Sequence, residues 1–311
     1  MRPRMNTVHQ RALHRYAVLT ACATLVLLAA GALVTSNDAG LAVPDWPLSY
    51  GSLWPPLVGG ILYEHGHRLV AGFVGLLTIG LAVWLQLREP RAWVRRLGWA
   101  ALGAVVAQGL LGGITVLFYL PPAVSIAHAT LAQMFFASVV SLSVFTGRWW
   151  QAEQQQLADH GSPSLLTLSR LVLAAILAQL VLGAAYRHNV LGIVGHLVGA
   201  GVVVALAVYI ARAIRNRFPQ VAALRRAARV LLALVGLQVL LGGGAYWAIW
   251  GTQSAPQPMP AMVYLTVAHL ALGALTLAAA VVVALRAQRL LRPVAAEQLA
   301  GVARFEQGAA R

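Results

Sequence analysis

Eight apolar segments, each about as long as a bilayer-spanning helix, dominate the chain. They lie near residues 17–35, 66–87, 97–117, 123–146, 165–185, 191–213, 228–250 and 261–285. A helix needs about 20 predominantly apolar residues to cross the hydrocarbon core of a bilayer. Only 10% of the 311 residues are charged, against about a quarter in soluble domains. The sequence therefore predicts an all-α membrane protein with eight transmembrane helices.

The basic residues indicate how these helices are oriented. All 23 are arginines, and 21 of them fall on segment ends that share one side of the membrane, whereas Arg68 and Arg187 fall on the other. Because basic residues accumulate on the cytoplasmic side, both termini are expected to be cytoplasmic. We therefore interpret the net charge of +15 as a topology signal, and expect a multi-pass inner (plasma) membrane protein that contacts the lipid bilayer and binds no nucleic acid.

The two halves of the chain resemble each other weakly. QGLLGGITV at 108–116 matches QVLLGGGAY at 238–246, and GALV at 31–34 matches GAAY at 183–186. The pattern predicts two pseudo-symmetric four-helix bundles in the same orientation, formed by residues 1–150 and 151–311. The glycine pairs are also consistent with helix packing alone, since small residues let helices approach closely in lipid.

Four histidines lie near the outer ends of the even-numbered segments: His67, His128, His196 and His269. An intramembrane imidazole is costly without a partner, and a single one is more often a hydrogen-bonding group between helices than a ligand. Four at matching positions favour ligation. If each half is one bundle, His67 faces His128 and His196 faces His269, which suits axial ligation of a metal or haem between opposed helices.

The segment EHGHR at 64–68 opens the second apolar segment, and with its Glu-x-x-His-Arg pattern it resembles the signature of the haem A synthase family. Other elements agree in order from about residue 17 to 285. They are GALVTSNDAGLAVPDWP at 31–47, QGLLGGITV at 108–116, IAHATLAQ at 126–133, YRHNVLGIVGHLVGA at 186–200 and VAHLALGAL at 267–275.

The resemblance implies an enzyme that oxidises the C8 methyl group of haem O to the formyl group of haem A, by successive hydroxylations, for cytochrome oxidase maturation. It implies that His196 and His269 bind the iron of a resident haem b in the C-terminal half. It also implies that His67 and His128 bind the iron of the substrate haem O in the N-terminal half, and that Glu64 is catalytic. Haem O synthase and oxidase assembly factors are candidate partners, and the sequence does not indicate the electron-transfer partner.

The charged residues near this motif fit that chemistry, but they also fit purely structural roles. A carboxylate beside the reacting methyl group would stabilise developing positive charge or accept a proton, and Arg68 or Arg187 would suit haem propionates. Alternatively, Glu64 forms an ion pair with one of these arginines at the headgroup level. Asp38 and Asp45 are expected to cap turns of the outer segment.

One departure from the family is plain, because Val43 stands where many members have a cysteine, so a thiol role there is absent. An alternative function is a non-catalytic, di-haem b-type membrane cytochrome for electron transfer, which needs the four histidines but not Glu64. A transporter is disfavoured, because the apolar segments contain few ionisable groups near the bilayer midplane. The sequence assigns no role to His65 or His188.

Overall fold

A computed structural model describes residues 7–293. Eight long helices follow one another along the chain: α1 (Thr7–Ser36), α2 (Gly59–Arg88), α3 (Ala92–Leu117), α4 (Pro122–Thr146), α6 (Leu165–Arg187), α7 (Ile193–Arg217), α8 (Ala222–Gly251) and α9 (Pro260–Leu290). Within the described range, all eight are long and apolar enough to cross a membrane. The predicted number of spans is confirmed, and the chain is a multi-pass membrane protein. Its ends, which we assign to the cytoplasmic side, lie outside the described residues.

Local sequence explains where several helices begin and end. α4 and α9 each start with a proline, whose missing N–H costs nothing at the first helical position. α6 starts after Ser164, whose side chain accepts a hydrogen bond from the Thr167 amide, as an N-cap does. α2 ends at Arg88, just before Glu89 and Pro90, because the residue that precedes a proline avoids helical geometry.

The inner connection between the halves contains structure that the sequence did not predict. A short helix α5 (Arg148–Gln151) is followed by strand β1 (Leu157–Asp159), which pairs in parallel with β2 (Leu291–Pro293) after α9. The predicted all-α class is therefore correct for the membrane-spanning part, with this one short exception. A three-residue strand is too short to produce a recognisable alternating pattern.

The helices pack as two groups of four. α1 contacts α2 and α4, and α3 contacts the same two helices, so that α2 and α4 lie diagonally across the first group. In the second group, α6 and α8 each contact α7 and α9, which places α7 diagonally opposite α9. The groups meet where α9 packs on α1 and α4, and where α4 packs on α6.

Apolar side chains fill the interior of each group and also cover its outside. Phe135, Leu81 and Ile210 are almost completely buried, whereas Leu87 and Leu240 are 73% exposed on outward faces. Exposed leucines on helices of this length are expected where the surrounding solvent is lipid. The histidine-bearing helices α2, α4, α7 and α9 are thus held as diagonal pairs by the other helices.

Candidate haem site

Each of the four predicted histidines lies against a glycine of the helix that precedes it in the chain. A Cβ atom at Gly31 would lie 3.1 Å from Cε1 of His67, and one at Gly112 would lie 3.2 Å from Cε1 of His128. The corresponding distances are 3.0 Å for Gly183 and His196, and 2.9 Å for Gly242 and His269. Such separations are too short for comfortable carbon–carbon contact. The glycines therefore create the space that the imidazoles occupy.

The second pair of histidines is spaced as two ligands of one metal would be. The ring centroids of His196 and His269 are 6.3 Å apart and their planes are 77° to each other. A metal bonded at about 2 Å to one nitrogen of each ring, with about 1 Å from each nitrogen to its ring centre, gives a centroid separation of about 6 Å. The donor set and its spacing therefore fit a haem iron between α7 and α9.

The first pair lies at the corresponding place in the N-terminal group. His67 on α2 and His128 on α4 are each partly buried, and they are close enough to interact electrostatically. Residues 7–293 contain no cluster of three or more His, Cys, Asp or Glu side chains that could hold a metal ion. The two histidine pairs are thus the candidate ligand sets of the described chain.

Three glutamines that the sequence analysis missed bind these histidines from the neighbouring helices. Gln108, Gln179 and Gln238 approach His128, His196 and His269, respectively. In each case Nε2 of the glutamine also donates to the backbone oxygen of the same histidine. Each glutamine stands four residues before the glycine that faces that histidine. The pattern Gln-x-x-x-Gly was therefore present in the sequence. Gln108 and Gln238 lie within segments recognised only as repeats, and Gln179 lies four residues before one.

Glu64 is buried, with a 4% exposed fraction, and both of its carboxylate oxygens are occupied. Oε2 accepts a hydrogen bond from the Val43 amide at 2.8 Å, and Oε1 accepts one from Arg68. The ion pair that the sequence left open as an alternative is therefore present. Both partners lie on α2, and the hydrogen bond from the Val43 amide joins Glu64, three residues before His67, to the outer segment.

Arg68 extends this connection along the outer segment. Its Nη1 donates to the backbone oxygens of Asp45 at 2.7 Å and Leu48 at 2.6 Å. Arg187 likewise donates to the backbone oxygen of Thr35, at the end of α1. In this structure both arginines bind backbone carbonyls, and the predicted contact of Arg68 with a haem propionate stays a prediction.

The outer segment itself is ordered by an aspartate. Asp45 accepts hydrogen bonds from the amides of Tyr50 at 2.7 Å and Gly51 at 2.8 Å, which confirms its predicted turn-capping role. The Gly51 amide, together with the other amides and Arg68, holds the pKa of this carboxyl below its usual range. Asp38 has a positive φ of 50° and interacts electrostatically with Arg187.

The two histidines without an assigned role differ from each other. His65 is buried, and its Nδ1 lies 2.8 Å from the hydroxyl of Ser49, so it packs against the outer segment. His188 follows the last residue of α6, and burial together with the neighbouring Arg187 lowers its pKa. It is also near enough to His128 to interact electrostatically. His188 thus brings a group from the second half to the first histidine pair.

These features define a class of protein: a polytopic membrane protein with two pairs of histidines on diagonal helices, the second of them spaced as two ligands of one metal would be. Comparison with known proteins narrows the class. Residues 59–195 match the model of the COX15-CtaA family, described as cytochrome oxidase assembly proteins. Over these residues, which are less than half of the chain, it is similar to that family. The match includes Glu64, His67 and His128, whereas His196 and His269 lie beyond it.

Similar proteins in bacteria carry the name heme A synthase. The chain is 37% identical to that of Alkalihalophilus pseudofirmus over 142 residues, which are 44% of this chain and 47% of the relative. It is 35% identical to that of Lysinibacillus sphaericus over 143 residues, 44% and 45% of the two chains. The chain is 33% identical to that of Symbiobacterium thermophilum over 181 residues, which are 55% of this chain and 58% of the relative. The matches thus span about half the length of each relative.

Proposed function

We propose that this protein is a haem A synthase, an oxidoreductase that converts the C8 methyl group of haem O to the formyl group of haem A for cytochrome oxidase. The observation that carries the proposal is the presence of two inward-facing histidine pairs on a chain whose first pair lies within the family match. In this assignment His67 and His128 bind the substrate haem in the half formed by residues 1–150. His196 and His269 bind a resident haem b in the half formed by residues 151–311.

The proposal includes a pseudo-symmetric architecture with both termini in the cytoplasm. It is supported by the helix contacts, because α1 packs on α9 as α6 packs on α4. It is also supported by the four equivalent glycine–histidine contacts and by the unequal distribution of arginines across the membrane. In a bacterium, the membrane would be the plasma membrane, and all four histidines would lie in its outer half.

The side chains have separable roles in this scheme. His196 and His269 would hold haem b, which would supply one-electron redox chemistry when bound, and His67 and His128 would hold the substrate haem. Glu64 lies at the outer entrance to the first pair, where its carboxylate would stabilise positive charge that develops as the methyl group is oxidised. The hydrogen bonds of Glu64 with Val43 and of Arg68 with the backbone oxygens of Asp45 and Leu48 would fix the outer segment over this entrance and limit the access of water to the substrate.

A non-catalytic di-haem cytochrome is the alternative, because it would use the same four histidines. The two functions differ in which haems the protein contains. An electron-transfer cytochrome would hold the same b-type haem permanently at both pairs, whereas a haem A synthase would contain haem b together with members of its substrate series. The alternative also gives Glu64 no role beyond its ion pair.

The decisive experiment is mass analysis of the haems extracted from the purified protein after expression in a host that makes haem O. We expect haem b together with haem O, its hydroxylated form or haem A. Two molecules of haem b per chain and no other haem would instead establish the cytochrome.

Two variants test the assigned residues in the same preparation. Glu64→Gln should abolish haem A formation and leave haem b bound, with the exposed Glu153 changed to Gln as the matched control. His196→Ala should remove the resident haem b. Full conversion by Glu64→Gln, or an unchanged haem b spectrum in His196→Ala, would show that these assignments are wrong.

A further inference from the structure

The four histidines share the glycine contact but not the glutamine contact. At the position four residues before the facing glycine, α3, α6 and α8 carry Gln108, Gln179 and Gln238, whereas α1 carries Leu27. We propose that this position determines whether a histidine holds its haem permanently or releases it, so that His67 is the exchangeable ligand of the N-terminal site. The proposal rests on the function proposed above and explains why one histidine pair retains haem while the other turns it over.

The glutamine contacts restrain both the ring and the backbone of each histidine. Nε2 of Gln179 lies 3.0 Å from Nδ1 of His196 and 2.8 Å from its backbone oxygen. Gln108 makes the same two contacts with His128, both at 3.0 Å. One amide that binds both groups fixes the rotation of the ring relative to its own helix. This is the geometry of an outer-shell partner that orients a metal ligand.

The contact at His269 is looser. Nε2 of Gln238 lies 3.0 Å from the backbone oxygen of this histidine and 3.4 Å from its ring nitrogen Nε2. The backbone restraint is therefore shared by all three histidines, while the ring contact varies. Gln238 is accordingly expected to have a smaller effect on haem retention than Gln179.

The other atom of each amide supplies what a bound haem would require. Oε1 of Gln108, Gln179 and Gln238 is buried and has no hydrogen-bond partner among the described residues. An imidazole that binds iron through Nε2 carries its proton on Nδ1, and that N–H needs an acceptor. At His128 and His196, where the amide lies beside Nδ1, a half-turn of the amide would bring Oε1 to this nitrogen in exchange for the Nε2 contact with the backbone oxygen. At His269 the amide lies beside Nε2 instead. A neutral amide thus serves the histidine with either atom, which leucine cannot do.

His67 has the same space but lacks this partner. Its ring lies against Gly31, as the other three histidine rings lie against their glycines. Its Nδ1 is buried near the backbone of Leu27. That nitrogen makes no well-formed hydrogen bond within residues 7–293. Packing against Gly31 and the proximity of the Leu27 backbone therefore restrain the His67 ring, without a side-chain amide. The N-terminal pair combines His128, which a glutamine contacts, with His67, which no glutamine contacts. In the C-terminal pair a glutamine contacts the backbone oxygen of both histidines, although Nδ1 of His269, like Nδ1 of His67, is buried without a hydrogen-bond partner among the described residues.

The test measures how fast each haem leaves the protein, with excess apomyoglobin as the haem acceptor and the purified full chain loaded with haem b at both pairs. Loss from the wild type should be biphasic, with the fast phase from the N-terminal pair. Outer-shell partners of metal ligands typically change affinity by about 10- to 100-fold. Leu27→Gln should slow the fast phase by about that factor, and Gln179→Leu should accelerate the slow phase similarly. Each variant should leave the other phase unchanged.

Matched variants separate positioning from polarity and packing. Leu27→Asn adds an amide that is one methylene too short to reach His67, and it should leave the fast phase as in the wild type. We expect the Leu27→Gln variant to fold, because α3, α6 and α8 already carry glutamine at the equivalent position. Gln179→Leu should also raise the midpoint potential of the resident haem, because loss of an acceptor at Nδ1 makes the ligand less basic.

The outcomes distinguish this inference from the proposed function. If the phases respond to His67→Ala and His196→Ala but not to Leu27→Gln and Gln179→Leu, the histidines bind haem and the inference about the glutamines is wrong. An equal effect of Leu27→Gln and Leu27→Asn would also overturn it. A wild type that binds no haem at either pair would overturn both the inference and the proposed function.

Discussion

Replacement of Gly242 by alanine should weaken haem binding at the C-terminal pair, and the neighbouring Gly243 provides the control. A Cβ atom at Gly242 would lie 2.9 Å from Cε1 of His269. Carbon atoms reach their optimal separation at about 3.5 Å or more, so the ring would have to move by roughly 0.6 Å. A Cβ atom at Gly243 would have no described atom within 4 Å. The two substitutions are chemically identical and differ only in what they meet.

The expected magnitude follows from the cost of overpacking. Forcing a methyl group into a filled site typically costs about 1–3 kcal/mol, which corresponds to a loss of about 5- to 150-fold in affinity. The displaced ring belongs to a pair whose 6.3 Å separation already fits a metal between its members. If His269 is a haem ligand as proposed, movement of its ring would act directly on haem binding.

The assay is optical titration of the haem-free protein with haem b, carried out for both variants in the same detergent. Gly242→Ala should show weaker binding than Gly243→Ala, and Gly243→Ala should match the wild type. Equal affinity of the two variants would refute the argument, since the methyl group at Gly242 would then have been accommodated without moving the ligand.

Two further predictions concern the outer segment. Arg68→Ala should make this segment accessible to protease, because loss of one partner of a buried ion pair leaves Glu64 uncompensated at a typical cost of about 3–5 kcal/mol. The control Arg88→Ala, at an exposed position, should be cleaved like the wild type. Equal cleavage of both variants would contradict the prediction. The Gly51 amide holds the pKa of Asp45 below its ordinary value of 3.8, so its stabilisation is present above that value and is lost only as the pH falls further. Tryptophan fluorescence of the outer segment should therefore stay constant from pH 7 to about pH 4, and a transition near pH 6 would show that another group controls the turn.

The spans could be predicted from the sequence because each is an apolar run close to the bilayer thickness, which is a strong signal. It could also be predicted that His196 and His269 face each other, since their segments occupy equivalent places in a repeated unit. The pairing of β1 with β2 could not, because six residues far apart in the chain form it. The hydrogen bonds of Arg68 to loop carbonyls were equally inaccessible, because they depend on the path of an irregular segment.

The glutamines show why the rest of the site was missed. Gln108 and Gln238 were visible in the matched segments, but a single amide in an apolar span has no assigned direction until the helix contacts are known. Only the structure shows that the side chain four residues before the glycine reaches the same histidine. Once this register is known, Leu27 becomes the informative residue, because it is the exception in an otherwise repeated pattern.

The differences between the two halves concentrate around His67. The positions that correspond to Glu64 and Arg68 in the second half, counted from His196, are Ile193 and Leu197. The ion pair whose members hold the outer segment by hydrogen bonds therefore has no counterpart at these positions of the second half. The same histidine lacks its glutamine and has Leu27 instead. Under the proposed function, a histidine without a glutamine partner, next to a long outer segment held by a buried carboxylate, would suit a haem that must enter, react and leave, whereas both histidines of the second half have a glutamine on their backbone oxygen.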